Sequence, residues 1–139
     1  MGAAPKLYAA SAQGAGTFLG EDVDGNYHKY DAIQFELDVT SAANAANDTL
    51  DVTIQAKLDG TNYVDVVHFT QILGNGGAKR IIAKIVRDLA QAQYDGLTAP
   101  AAGAERHTYC DVLRVKAVVV SGTAAAFTYT VLAIPLPRR

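Results

Sequence analysis

Three histidines, one cysteine and a scatter of carboxylates are the side chains of this sequence with chemical reach. His107 and Cys110 lie close enough along the chain for a thiol–imidazole pair, in which the imidazole would take the thiol proton and leave a nucleophile. Nothing else near Cys110 favours a thiolate, so a small residue at the start of a strand is expected there. His28 and His68 form no zinc-like spacing with each other or with Cys110. His68 falls in an apolar segment and reads as a packed or edge residue. Glu36, Asp38 and Asp51 alternate with apolar residues, and pairing their strands would bring two carboxylates together as a glycosidase needs. The reading adopted is a solvated sheet face. Glu21, Asp22, Asp24 and Asn26 offer oxygens suited to calcium. Yet Tyr27 and Ile33 stand where an EF-hand loop carries its glycine and its last glutamate, so an acidic turn is expected. Gly74, Gly76 and Gly77 are not followed by the Lys-Ser/Thr of a phosphate loop. The basic pair Lys79 and Arg80 after them reads as a solvated strand end. No catalytic constellation assembles, and the expectation is a non-enzymatic chain with no cofactor and no metal.

The elements that must position these residues are strands. Ile33, Phe35, Leu37 and Val39 alternate with Gln34, Glu36, Asp38 and Thr40. Successive strand side chains point to opposite faces, so this is a strand with one buried and one wet side. Leu50, Val52, Ile54, Ala56 and Leu58 repeat the pattern. Asp59, Gly60, Thr61 and Asn62 signal a turn, and 63–72 is the returning strand of a hairpin. Residues 79–86 fit either a helical stripe or a strand; three isoleucines and a valine favour a strand. Residues 87–106 contain Gly96 and Pro100 among small residues and read as one long loop. Residues 109–120 and 127–134 read as a second hairpin turning at Ser121, Gly122 and Thr123. Both of its strands carry apolar residues on both faces, which predicts central strands or a partner on one face. Pro135 and Pro137 end the pairing by removing backbone donors.

Residues 1–20 are mostly Ala, Gly and Ser, with Leu7, Tyr8, Phe18 and Leu19 as isolated apolar anchors. This composition predicts an extended arm followed by a sandwich domain over 21–139. Short strands separated by turn signals, without convincing helices, predict an all-β fold: a single β-sandwich or jelly-roll-like domain.

At 139 residues with 50% hydrophobic residues the chain is long enough for one buried core. The net charge of −2 argues against nucleic-acid binding. One cysteine excludes an intrachain disulfide, which fits assembly in a reducing cytoplasm. No apolar run reaches the length of a membrane span, so no membrane partner is expected. The first residues lack the basic segment and apolar core of a signal peptide, and Lys6 departs from the myristoylation pattern.

The ordered set of segments 35–40, 49–55, 58–61 and 69–71, then 113–115, Gly122 with Thr123, and 127–131 resembles a group of small virion proteins from the structural gene clusters of tailed bacteriophages. The segment 7–12 is similar to their usual start, so the resemblance spans most of the chain; the long 87–106 segment departs from it. The resemblance implies a β-sandwich virion component, and among virion roles capsid decoration comes first. Such cement proteins are commonly small β-rich oligomers, often trimers, seated where capsomers meet. The partners implied are further copies of the chain, in a homotrimer, and the major capsid protein. The place implied is the capsid surface, after assembly in the host cytoplasm. The arm is expected to add to a neighbour's sheet edge, with Leu7, Tyr8, Phe18 and Leu19 filling pockets. Surplus apolar residues of the last hairpin, Val118, Val120, Leu132 and Ile134, are expected at the oligomer interface. The alternatives are a tail or connector accessory protein and a carbohydrate-binding host-attachment module. The absence of tryptophan and the scatter of seven tyrosines weigh against the last. A hydrolase ranks behind all of these.

Overall fold

The computed structural model describes residues 6–42, 45–87, 89–109, 111–121 and 126–136. Eleven strands and one 3-10 turn (Tyr27–Lys29) make up the regular structure, with no α-helix among the described residues. The strands are β1 (Lys6–Gln13), β2 (Gly16–Leu19), β3 (Val23–Asp24), β4 (Ala32–Ser41), β5 (Thr49–Ala56), β6 (Val64–His68), β7 (Ile72–Leu73), β8 (Lys79–Val86), β9 (Ala104–Glu105), β10 (Val112–Val120) and β11 (Phe127–Leu136). One sheet has the order β1-β11-β4-β8. The other runs β2-β10-β5-β6-β9, with β3 added to β10 and β7 to β5. All pairs are antiparallel.

Without the two-residue strands β3, β7 and β9, eight strands remain. By position in the chain they run first-eighth-third-sixth in one sheet and second-seventh-fourth-fifth in the other. That order is the double-sheet jelly roll. The core between the sheets follows from the alternation. Ile33, Phe35, Leu37 and Val39 of β4 face Leu50, Val52 and Ile54 of β5 across the sandwich, all with no more than 1% exposure. β10 adds Leu113, Val115, Ala117 and Val119, and β11 adds Phe127, Tyr129, Val131 and Ala133.

The expected hairpin of 50–58 and 63–72 forms, but its return is broken. β6 ends at His68, and β7 resumes pairing with β5 at Thr49 and Leu50. Its turn is fixed by Asp59, whose carboxylate accepts the amides of Thr61 (2.9 Å) and Asn62 (2.6 Å). These donors, Asn62 first, hold the Asp59 pKa down to about 2. Gly60 takes the positive φ of 80° that the turn needs. Residues 79–86 are a strand, as expected.

Three expectations are corrected. Pro135 does not end the pairing: β11 runs on to Leu136, with Pro135 opposite Ile33 and Leu136 opposite Ala32. Residues 112–120 and 127–136 are not a hairpin: β10 pairs with β5, β2 and β3, and β11 with β1 and β4. The connection carries the chain from one sheet to the other. Gly122 and Thr123, the expected turn, and Pro137 lie outside the described residues. Nor do the described residues of 1–20 form an arm. β1 extends the first sheet at β11 and β2 extends the second at β10, so no boundary falls at residue 20. An edge strand is held by main-chain hydrogen bonds and needs only a few side chains for the core. Leu7 is buried, and the Tyr8 ring lies 6.0 Å from that of Tyr129. Gln13 bridges the two hydroxyls, donating to Tyr8 Oη (2.8 Å) and accepting from Tyr129 Oη.

Candidate interaction surface

The side chains that raised chemical readings are engaged in holding the fold. His28 caps the junction between the 3-10 turn and β10: its amide and Nδ1 both contact the Asp111 carboxylate, at 2.8 Å each. The amide, and then the ring, draw the Asp111 pKa below the usual carboxylate value. Arg87 donates to the His28 carbonyl from the other side. His68 donates from Nδ1 to the Pro100 carbonyl (2.9 Å), which pins the long loop to β6. His107 Nδ1 accepts the Val86 amide (3.0 Å), so that nitrogen is committed to the backbone. Cys110, near it in the sequence, lies outside the described residues.

The carboxylates do not assemble into a pair. Glu36 and Asp38 point outward from one sheet and Asp51 outward from the other, so the thickness of the sandwich separates them. Asp38 approaches Arg80 (3.5 Å), and Asp51 accepts from Gln71 (3.0 Å). In the acidic turn, Asp22 accepts from Tyr63 Oη (2.6 Å) and Lys57 Nζ (3.2 Å), and the tyrosine bond chiefly lowers its pKa. Asp24 accepts the Asn26 amide (3.1 Å). Among the described residues no group of three His, Cys, Asp or Glu side chains is placed to hold a metal.

Six of the seven tyrosine side chains are also occupied. Tyr27, Tyr129 and Tyr8 belong to the core or pack on it. The Arg114 guanidinium lies 3.3 Å from the centre of the Tyr63 ring, and Arg106 lies 4.1 Å from that of Tyr94. Arg87 lies over Tyr109 at 5.9 Å, and Tyr109 Oη donates to the Tyr30 carbonyl (2.7 Å). A sugar stacking on Tyr63 or Tyr94 would first have to displace a cation from the ring face.

The expected partner-binding residues are dispersed. Leu7 lies in the core of its own chain and Tyr8 and Phe18, half-buried, pack against it, and of the four anchors only Leu19 stays outward, 55% exposed. Val118 and Val120 lie on the outer face of β10, whereas Leu132 and Ile134 lie on the outer face of β11. These faces are on opposite sides of the sandwich, so the four residues do not form one surface. The 87–106 segment is pinned rather than loose. Arg106 donates to the Thr98 and Asp65 carbonyls (2.7 and 3.2 Å), Gly103 N donates to the His68 carbonyl (2.7 Å), and Ala104 and Glu105 form β9 on β6.

One feature was not legible as a site. β8 is the last strand of its sheet, and among the described residues nothing pairs with its outer edge. Between this edge and β6–β9 runs a groove of about 170 Å³, lined by Val67, Phe69, Ile81, Ala83, Gly103 and Ala104 among others. The available signal was the β-branched content of 79–86, three isoleucines and a valine among cations, which marks a strand; its position at an edge depends on long-range pairing.

Comparison with family models, curated proteins and solved structures finds no match to this chain.

Proposed function

We propose that this chain is a non-enzymatic structural protein of a tailed-bacteriophage virion, a decoration protein that binds the major capsid protein lattice and stabilises the head. The observation that carries the reading is the disposition of apolar surface and free edge. The interior is filled by apolar side chains, while Leu19, Leu73, Ile82 and Val120 face outward at 42–56% exposure and the β8 edge is uncovered among the described residues. Such features suit a module that works by packing against other protein. The jelly roll is shared by viral capsid, lectin and cupin domains, and fold alone does not choose among them. Cation-covered tyrosines tell against the lectin-like, host-attachment reading. A core of packed aliphatic and aromatic side chains tells against a cupin-like internal site. The sequence resemblance supports the virion reading, with a tail or connector role as its alternative. We place the working form as a homotrimer on the capsid surface.

The test is to image purified particles made by the genome that encodes this chain, with a gold-labelled tag on the protein. Label over the head is expected. Label confined to the tail would select the alternative, and particles lacking the protein would overturn the virion reading.

A further inference from the structure

We infer that the free edge of β8 is a strand-addition site for an extended, acidic segment of another polypeptide. The backbone defines it first. The Val86 amide points away from β4, since it donates to His107. By the two-residue repeat of a strand, the amides and carbonyls of Lys84, Ile82 and Arg80 point the same way. His107 therefore caps one end of the edge, and three residues beyond it present paired donors and acceptors to an incoming strand.

Packing defines it next. The sheet ending in β8 is four strands wide, and the facing sheet has five strands along its main path. The fifth place, unfilled among the described residues, lies beside β8 and across from β9, where the groove runs. A strand added there would turn every second side chain onto Ile81, Ala83, Phe69 and Ala104. Its other side chains would lie outward, level with Arg80, Ile82 and Lys84.

Charge selects the occupant. Four of the chain's twelve cations fall within 79–87, with none of its fourteen acids. Arg80 has Asp38 on its inner side (3.5 Å) but its side chain remains 64% exposed. A second copy pairing β8 with β8 would bring three more cations, Lys79, Arg80 and Lys84, to the seam, and like charges across strands are destabilising. A segment with acidic residues opposite Arg80 and Lys84 and apolar residues elsewhere meets both the charge and the groove. The alternative role of the cations is to keep a bare edge from pairing with anything. This site does not depend on the virion reading: its partner is set by the edge chemistry, wherever the protein resides.

The experiment titrates the full chain with a short valine peptide bearing glutamate at the two positions that would face Arg80 and Lys84. Saturable binding is expected, with slowed hydrogen exchange at the amides of Arg80, Ile82 and Lys84. The double substitution Arg80→Glu, Lys84→Glu should weaken binding by roughly tenfold or more and gain binding to the matching lysine peptide, which also shows that the variant folds. Three outcomes overturn the proposal. The peptide does not bind, which leaves the cations as guards of the edge; it binds equally well when its backbone nitrogens are methylated, which reduces the site to charge attraction; or a single-stranded oligonucleotide displaces it fully, which makes the strip a polyanion site.

Discussion

Tyr27 is wholly buried, and among the described residues its hydroxyl has no hydrogen-bond partner. Burial, with a smaller push from Asp24, raises its pKa to about 12. Burial also drives Tyr129 upward. A raised folded-state pKa stabilises the fold below the unfolded value near 10 and loses that contribution as pH rises through the folded value. The protein should therefore lose stability above about pH 10, and Tyr27→Phe should flatten that loss, as denaturant titrations at several pH values would show. At neutral pH the same substitution should be neutral or stabilising by up to about 1 kcal/mol, because it removes an unsatisfied buried group. Gly25 is the neighbour that makes room: a Cβ there would sit 2.1 Å from Tyr27 Cζ. Gly25→Ala should cost roughly 1–3 kcal/mol through overpacking. On the outer face of the second sheet, Arg114 covers Tyr63 and donates to Gln55 Oε1 (2.7 Å), and Gln55 is only 8% exposed. Arg114→Ala should cost about 1–3 kcal/mol by leaving that acceptor unpaired, read from urea unfolding. The Arg114 contacts were not visible in the sequence, because they join residues more than fifty positions apart in the chain; Gly25 is Tyr27's near neighbour, but nothing in the sequence says that the ring folds back over it.

At the scale of elements, alternation identified β4 and β5 and their inward residues, since a two-residue period survives any tertiary setting. It does not say which sheet a strand joins. Two apolar strands with turn residues between them look alike whether they pair or face each other, and so β10 and β11 read as a hairpin although they line opposite walls. The first twenty residues failed for another reason. Their low apolar content predicts an arm only if burial is what orders a segment, whereas β1 and β2 are held mostly by main-chain bonds to existing edges. Docking within the chain makes a prediction that an arm reaching a neighbour does not. Leu7, 4% exposed, should cost about 2–5 kcal/mol when replaced by alanine. Leu19, 55% exposed, should cost no more than about 0.5 kcal/mol. Urea unfolding of the two variants decides it: equal, small effects would mean that the segment leaves the sandwich in solution.

The whole molecule is a closed core with two unlike outer faces, and this bears on how copies could associate. Val118, Val120, Leu132 and Ile134 would form one patch only if the last two strands paired. Since β10 and β11 lie in different sheets, an oligomer would use one pair or the other. The β10 side offers more. Val120 is 53% exposed and Leu73 42%, and the uncharged cross-strand row Val120–Thr49–Leu73 sets them on either side of one threonine, with Val118 the next outward residue along β10, level with Asp51. On the opposite face the row Leu132–Glu36–Ile82 places a carboxylate between the apolar residues, and Ile134 lies level with Gln34 and Lys84. Charged groups are depleted at interface cores, so the proposed trimer should form through the β10 face. Val120→Glu should then shift sedimentation from trimer to monomer at micromolar concentration, while Ile134→Glu leaves the trimer intact and each variant keeps the β-rich circular dichroism of the parent. The reverse pattern would move the interface to the β11 face, and a parent that sediments as a monomer under the same conditions would remove self-association in solution from the proposal.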